Sequence, residues 1–176
     1  MGERDSVDLI PDPLGYLELL GAERTKIFDF FDRTLPPSET IAVSLNVLIQ
    51  RDISRADIRG MVVKLPSILS CTAERTNALL TNLEERGIGR EQVNGMVVKL
   101  PSILSYTAER TNALLEIFEE YYIEFLTKPF RLIFSPRIIR ERIEKMKTLG
   151  LDVTRFTNKL FYTRKNFEKF EAKYSF

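Results

Sequence analysis

Apolar residues recur along the middle of the chain with the spacing of one face of an α-helix. The spacing i, i+3, i+4, i+7 occurs twice, at Ile58, Met61, Val62 and Leu65 and again at Val93, Met96, Val97 and Leu100. Each stripe is followed directly by a proline, which lacks the amide donor that a helix needs and clashes with the preceding turn. The pattern therefore predicts two helices, each ending at the residue before Pro66 or Pro101.

A second helix is predicted after each proline. The intervening Ser-Ile-Leu segment is long enough for about one turn of 3₁₀ helix. In the first unit the second helix runs from Ala73 to Arg86, and its apolar side consists of Leu79, Leu80 and Leu83. Gly87 follows, where glycine can take the left-handed conformation that ends a helix. One unit is therefore helix, proline, 3₁₀ turn, helix and glycine.

The unit is duplicated almost letter for letter. Residues 60–80 match residues 95–115 at 20 of 21 positions, the exception being Cys71 against Tyr106. The offset is 35 residues (95 − 60). A fixed period of this length is typical of helical-repeat arrays, in which each unit buries its apolar face against the next.

A third, eroded copy follows Pro129. Ser135, followed by a proline, starts a helix in the manner of the second unit, and Gly150 ends it. The interval from the preceding repeat proline is 28 residues (129 − 101), seven short of the period, and Tyr122 stands where the cap glycine is due. The pattern leaves open whether Leu114–Thr127 forms one long helix or a helix and a turn.

The residues before the twin units are also predicted to be helical. Short helices are predicted at Leu17–Leu20 and Ile27–Phe31, and a longer one from about residue 36 to residue 50. The longer helix has the register of the second helix of a unit, since Arg51 aligns with Arg86. It is interpreted as a half-repeat that caps the front of the array.

These patterns predict an all-α chain in three parts of one continuous solenoid domain. Residues 1–36 form a helical cap, residues 37–127 the tandem repeats, and residues 128–176 a degenerate third repeat with a basic, aromatic end.

The first helix of each unit carries a cap residue and an interior glycine. Ser54 can cap the helix of the first unit, with Asp57 in a capping-box-like arrangement. Gly60 and Gly95 lie within the apolar stripes, where a glycine costs about 1 kcal/mol relative to alanine. Close approach of a neighbouring helix is the interpretation we favour, because interior glycines usually have packing reasons.

The repeat resembles that of the mitochondrial transcription termination factor (mTERF) family. The stretches that carry the resemblance are Val62–Leu69 with Thr72 to Gly87, Val97–Leu104 with Thr107 onward, and FSPRIIRERIEKMKTLGLD from Phe134 to Asp152. The resemblance covers roughly Ser38 to Phe161. It implies an α-solenoid, a left-handed superhelix of units with two α-helices and a 3₁₀ turn. It also implies nucleic-acid binding along a basic concave face and a role in organellar transcription, RNA processing or ribosome assembly.

Charge is distributed very unevenly along the chain. The net charge is +1, but residues 126–176 carry 13 basic and 5 acidic residues, or +8, which leaves −7 for residues 1–125. The same last stretch holds nine of the eighteen aromatic residues. Such asymmetry indicates a polyanion-binding end.

The residue types exclude several kinds of chemistry. The chain has no histidine and one cysteine, so it lacks the parts of a Ser-His-Asp triad, a zinc or haem site or an internal disulfide. It contains no glycine-rich phosphate loop, and paired glutamates such as Glu84-Glu85 fit solvated helix faces. We therefore expect no enzyme activity, no catalytic residue, no metal and no cofactor.

Membrane insertion and targeting leave no sign in the sequence. No apolar run approaches the ~20 residues that span a bilayer, and the first residues resemble neither a transit peptide nor a secretory signal. The compartment is thus unknown from the residues themselves. The family resemblance alone implies a mitochondrion or a chloroplast.

Lysines and arginines of the basic end are the candidate nucleic-acid-binding residues, because their cations neutralise phosphates. They are Arg131, Arg137, Arg140, Lys145, Lys147, Arg155, Lys159, Arg164 and Lys165. Lys64 and Lys99 recur at equivalent places in the twin units and are added as a weaker contribution, as rows on a solenoid track an elongated partner. Arg75 and Arg110 recur in the same way. The interleaved aromatics could stack bases, but we favour a core role for Phe156, Phe161, Tyr162, Phe167 and Phe170.

Two functions are compatible with this distribution. The first is a monomeric nucleic-acid-binding regulator of the mTERF type that binds double-stranded DNA or RNA through its basic C-terminal region. The alternative is a protein-interaction scaffold that binds a protein partner on its acidic first half. A shortened paralogue without nucleic-acid binding belongs with this alternative.

Overall fold

The computed structural model describes residues 35–175 and a few residues before them. These earlier residues are Asp12, Gly15, Glu18, Ile27 and residues 29–31. The short helices predicted at Leu17–Leu20 and Ile27–Phe31 lie largely outside the described residues. Within residues 35–175 the regular structure is helical throughout and contains no strand.

Seven α-helices and four 3₁₀ helices follow one another in this part of the chain. The α-helices are α1 (Ser38–Ile49), α2 (Arg55–Lys64), α3 (Ala73–Glu85), α4 (Arg90–Lys99), α5 (Ala108–Glu120), α6 (Pro136–Thr148) and α7 (Arg164–Glu171). The 3₁₀ helices are η1 (Pro66–Ser70), η2 (Pro101–Ser105), η3 (Pro129–Ile133) and η4 (Val153–Phe161). The predicted all-α fold, with proline-led 3₁₀ turns between helices, is confirmed.

Local chemistry sets where the helices begin and end. The side chain of Ser54 accepts a hydrogen bond from the backbone amide of Asp57 (3.1 Å), and the side chain of Thr72 caps α3 in the same way. Leu65 leaves the helical region at φ −147° and ψ 80°, because a residue that precedes proline is sterically excluded from it.

The second helices end at residues in the left-handed region of backbone space. Gly87 (φ +80°) and Gly150 (φ +69°) were predicted to do so and are confirmed. Asp52 (φ +61°) and Tyr122 (φ +52°) adopt the same conformation at the equivalent places, although each carries a Cβ atom. The helix-ending geometry has thus persisted where the glycine has not.

The seven residues missing before the third unit correspond to an absent helix. In the second unit α4 lies between the glycine and the proline of η2. In the third, α5 ends at Glu120, and residues 123–128 connect it to η3 without a helix. The possibility that Leu114–Thr127 forms one long helix is therefore wrong.

The chain divides into two compact bodies. The N-terminal body comprises Met1–Thr107 and the C-terminal body Ala108–Phe176. The predicted apolar faces are confirmed as core except at Leu65 and Leu100, which are half-buried. The buried members in the N-terminal body are Ile58, Met61, Val62, Leu79, Leu80, Leu83, Val93, Met96 and Val97, all 2% exposed or less. The predicted part limits at residues 36–37 and 127–128 follow the repeat pattern and stay a prediction.

A polar contact ties α1 to the twin units. Arg51, buried after α1, donates from Nε to Asn94 Oδ1 (3.0 Å), and Asn94 Nδ2 returns a bond to the backbone oxygen of Arg51 (2.7 Å). The guanidinium of Arg51 also forms an ion pair with Glu84. These bonds satisfy a buried charge that would otherwise destabilise the fold.

The interior glycines of α2 and α4 have no packing role. A Cβ atom built at Gly60 or Gly95 meets nothing within 4 Å beyond the helix's own nearby backbone and the adjacent residues. The interpretation that a neighbouring helix approaches closely at these positions is therefore wrong. The stripe spacing misled because both glycines lie beside the buried face and are only half-buried.

We expect Gly60→Ala and Gly95→Ala each to raise the free energy of unfolding by up to about 1 kcal/mol, because alanine loses less backbone entropy in a helix. Urea denaturation followed by circular dichroism measures the effect. The matched control is Gly87→Ala, which should lower stability by about 1 kcal/mol since φ is positive there. A loss of stability at Gly60 would show that a neighbouring group occupies the space that a Cβ atom needs there.

We expect Tyr122→Gly to stabilise the C-terminal body by up to about 1 kcal/mol, because glycine adopts the left-handed conformation without the steric cost that tyrosine bears. The tyrosine side chain is 88% exposed, so its removal sacrifices little packing. Thermal unfolding of the variant beside the parent protein measures this. An unchanged or lower midpoint would contradict the inferred strain.

Candidate nucleic-acid interface

The helix α6 combines a buried face with a basic outer face. Ser135 precedes it and Pro136 occupies its first turn, where a missing amide donor costs nothing. The buried face consists of Ile139, Arg142, Ile143 and Met146. The outer face carries four of the predicted site residues, all exposed, namely Arg137, Arg140, Lys145 and Lys147.

These four cations lie on two sides of α6. Arg140 and Lys147 are seven residues apart and share the side that faces α5. Arg140 lies 3.9 Å from Glu116 of α5, and the Lys147 ammonium is 5.7 Å from the centre of the Tyr121 ring. The Lys145 ammonium lies 3.0 Å from the Glu171 carboxylate of α7, although Lys145 also borders the groove on the α5 side. A groove between α5 and α6 is lined by Ala113, Pro136, Arg137, Arg140, Glu141, Glu144 and Lys145.

Each exposed cation of α6 has a carboxylate beside it. Arg137 donates to Glu141 (3.0 Å), and Lys147 donates to Glu144 (3.1 Å). A hydrogen bond with Tyr121 and a second one with Glu144 raise the pKa of Lys147, so the ammonium is charged at neutral pH. Exposed ion pairs of this kind contribute little to stability, because water screens both charges. A phosphate can therefore replace the carboxylates at small cost.

The predicted site residues after α6 are less uniform. Arg155 and Arg164 are exposed and lie 3.4 Å from Asp152 and 2.9 Å from Glu168, respectively. Lys165 is also exposed, at the start of α7. Lys159 is half-buried. Its ammonium nitrogen lies 4.7 Å from the centre of the Tyr162 ring and donates a hydrogen bond to the Tyr162 hydroxyl. Arg164 and Lys145 line a second groove, between α6 and α7.

Arg131, also a predicted site residue, is buried inside the C-terminal body. It is 4% exposed, and its guanidinium donates to the backbone oxygen of Glu124 and to the side chain of Asn158. The same group lies 4.8 Å over the ring of Phe161. Burial lowers the pKa of Arg131, and the guanidinium is stabilised by these internal contacts instead of by water. We therefore leave Arg131 out of the interface.

The recurring arginines of the twin units have a structural task. Arg75 donates to the backbone oxygens of residues 105 and 106, at the end of η2. Arg110 donates to the oxygens of residues 132, 133 and 134, at the end of η3, over 2.7–3.3 Å. The suggestion that these arginines form a row against an elongated partner is therefore not supported.

Two further residues bond the ends of 3₁₀ helices in the same way. The hydroxyl of Ser44 donates to the backbone oxygen of Cys71 (2.6 Å), just after η1. Arg142, buried and stacked 4.8 Å over the Phe167 ring, donates to the oxygen of Tyr162 (2.7 Å), just after η4. Each second helix thus holds the carbonyl end of the next 3₁₀ helix.

Lys64 and Lys99 are exposed at equivalent places in the last turns of α2 and α4. Each follows its interior glycine by one helical turn, so lysine and glycine share a side of the helix. Their position leaves both ammonium groups accessible.

The aromatic residues of the basic end form a core. Phe167 and Phe170 are buried, with ring centres 6.0 Å apart, and Phe156 lies 5.5 Å from Phe170. Phe161 contacts the ring of Phe118 edge to face at 5.8 Å. The core interpretation of these rings is therefore consistent with the structure, and base stacking by them is not indicated.

The one cysteine offers no reactive site. Burial raises the pKa of the Cys71 thiol, so the group stays protonated and weakly nucleophilic. Among the described residues no cluster of carboxylates and cysteine has a geometry that would hold a metal ion. In the same part of the chain, none of the helices has the length and apolar character that crossing a membrane requires.

The fold and the basic helix together define a class of helical-repeat protein with proline-led 3₁₀ turns. A model of the mTERF family matches residues 16–148, so the chain belongs to the mTERF family. No curated protein sequence matches the chain significantly. Family membership supports a nucleic-acid-binding regulatory role in general, and mTERF proteins are generally not enzymes.

The family match ends with α6. It includes Arg137, Arg140, Lys145 and Lys147, whereas Arg155, Lys159, Arg164 and Lys165 lie beyond it. Sequence reasoning also passed over Lys128, which is exposed just before η3. A signal was present, because residues 126–140 contain four basic residues and no acidic one.

We expect Arg110→Ala to lower the free energy of unfolding by about 1–2 kcal/mol, because the carbonyl end of η3 is then without its charged donor. Urea denaturation measures the change. Arg137→Ala is the matched control, since it removes an exposed arginine and should change stability by less than about 0.5 kcal/mol. Equal effects of the two substitutions would exclude the structural task of Arg110.

Proposed function

We propose that this protein binds nucleic acid through the outer face of α6 and regulates organellar gene expression, by acting on transcription or on RNA processing. The observation that carries the proposal is the fixed position of the exposed Arg137, Arg140 and Lys147 on a helix whose inner side is buried. The proposed contacts are to phosphates, from guanidinium and ammonium groups.

The geometry of α6 suits a polyanion. Arg140 and Lys147 are two turns apart, or about 10 Å along the axis, so each can contact a different phosphate. Buried Arg142 holds the next 3₁₀ helix from the opposite side of α6. The outer cations are therefore presented from a rigid support. Lys145, with Arg155, Lys159, Arg164 and Lys165 after it, extends the positive charge beyond this pair.

A protein-interaction scaffold is the second proposal. It is favoured by the charge of −7 on residues 1–125 and by the carboxylates beside the cations of α6. It predicts no salt-dependent binding of nucleic acid. Lys64 and Lys99 lie within the acidic stretch and therefore make a weaker contribution under the first proposal.

We expect the double variant Arg140→Glu with Lys147→Glu to bind duplex DNA at least about tenfold more weakly. Its slope of log affinity against log salt should be smaller by roughly 0.9 for each phosphate that the variant no longer neutralises. Fluorescence anisotropy across a salt series, on duplex DNA and on single-stranded RNA, gives both quantities.

The charge-matched control is Lys64→Glu with Lys99→Glu, which changes the net charge by the same amount in the twin repeats. A smaller loss of affinity in this control supports a local interface on α6. Equal losses would show that overall charge alone governs binding. If the parent protein binds neither nucleic acid at low salt, the scaffold is favoured.

A gain of affinity tests the same face from the opposite direction. We expect Glu141→Gln with Glu144→Gln to strengthen binding by several-fold, because two carboxylates that compete with phosphate are removed. The same anisotropy titrations measure the change. Unchanged or weaker binding would place the interface elsewhere.

A further inference from the structure

The third 3₁₀ helix reverses the polarity of the first two. In η1 and η2 the sequence is Pro-Ser-Ile-Leu-Ser, with both isoleucines buried. In η3 it is Pro-Phe-Arg-Leu-Ile, so that Phe130 and Ile133 replace the two serines, and Arg131 replaces the isoleucine. The charged residue of this turn is buried, as Leu132 is, whereas Phe130 and Ile133 are exposed.

Phe130 and Ile133 form one exposed apolar face, which we name the η3 face. Positions i and i+3 of a 3₁₀ helix lie one above the other. The two side chains are 45% and 40% exposed. The ring of Phe130 also packs edge to face against that of Phe161 at 6.5 Å. One side of the phenylalanine is thus supported by the core while the rest is open to a ligand.

Positive charge flanks the η3 face along the chain. Lys128, Arg137 and Arg140 are exposed, whereas Arg131 is buried, and the exposed carboxylate of Glu124 lies close enough to Lys128 to interact with it electrostatically. Lys128 is exposed two residues before Phe130. An exposed aromatic ring two residues from an exposed cation along the chain matches a ligand that offers a flat π-surface and a negative charge.

We propose that the η3 face stacks an unpaired base of a single-stranded nucleic acid, with Lys128 neutralising a neighbouring phosphate. This proposal rests on the proposed function and adds to it a contact that duplex DNA cannot make. Stacking on an aromatic ring tolerates any base and contributes about 1–3 kcal/mol per base.

The size of the face also favours a base over a protein. A stable protein interface buries about 800 Å² on each partner, far more than one phenylalanine and one isoleucine expose. A single base and its phosphate match the area and the charge together.

The twin units supply variants that should fold. Phe130→Ser and Ile133→Ser each restore the residue that η1 and η2 carry at the same place, where serine is compatible with the turn. The probes are a single-stranded RNA and the duplex DNA of the same sequence, titrated by fluorescence anisotropy across salt. Two variants serve as controls. Phe130→Tyr keeps an aromatic ring at the η3 face, and Tyr122→Gly removes an exposed ring elsewhere in the C-terminal body.

We expect Phe130→Ser to weaken binding of the single strand by roughly five-fold to a hundred-fold, the range that corresponds to the removal of one stacked base. The salt slope should be unchanged, because no phosphate contact is removed. Duplex binding should not change, and Phe130→Tyr and Tyr122→Gly should bind the single strand as the parent protein does.

Several outcomes would overturn the proposal. Unchanged single-strand binding by Phe130→Ser excludes the stack, and if charge reversal on α6 still weakens binding, the proposed function survives alone. Equal losses of affinity on duplex and single strand indicate general damage to the fold. Self-association of the parent protein that Phe130→Ser abolishes assigns the face to a second copy. Absence of all nucleic-acid binding removes both proposals.

Discussion

The carbonyl end of each 3₁₀ helix is the point on which the repeat depends. A short 3₁₀ helix leaves its last carbonyl oxygens without partners, and the following residue is extended, so the chain cannot satisfy them locally. A side chain from the preceding second helix donates to them each time, from Ser44, Arg75, Arg110 or Arg142. Consecutive repeats are therefore joined by directional hydrogen bonds as well as by apolar contacts. The hydrogen bonds fix the orientation of each second helix relative to the next 3₁₀ helix.

The third unit shows how far the repeat can erode while these bonds persist. Its first helix is absent, and its 3₁₀ helix has exchanged a buried isoleucine for Arg131. The arginine compensates for the missing helix by binding the irregular segment that replaces it, through the backbone oxygen of Glu124. A buried guanidinium is tolerable here because its two terminal nitrogens each donate to an oxygen and the Phe161 ring lies over it, although its Nε has no partner. The absence of a helix and the gain of an internal charge are therefore one structural change.

Helix positions followed from the sequence, because proline, caps and apolar spacing act over a few residues. The boundaries of α2 and α3, and the left-handed Gly87 and Gly150, needed no tertiary information. The roles of the arginines did not follow, since a repeated Arg75 and Arg110 look alike whether they contact a partner or a carbonyl 30 or 23 residues away. The pairing of Arg140 with Glu116 could not be predicted either, because the carboxylate comes from another helix.

Near-identity of the twin units creates a problem of register during folding. Two interchangeable segments can dock in each other's places, and repeat proteins are prone to such misassembly. The contact between Arg51 and Asn94 distinguishes them, because the equivalent of Asn94 in the first unit is Arg59, which has no acceptor to offer a second arginine. A helix docked out of turn would bring two like charges together. Asn94 thus determines which of the two repeats can accept the hydrogen bond from Arg51.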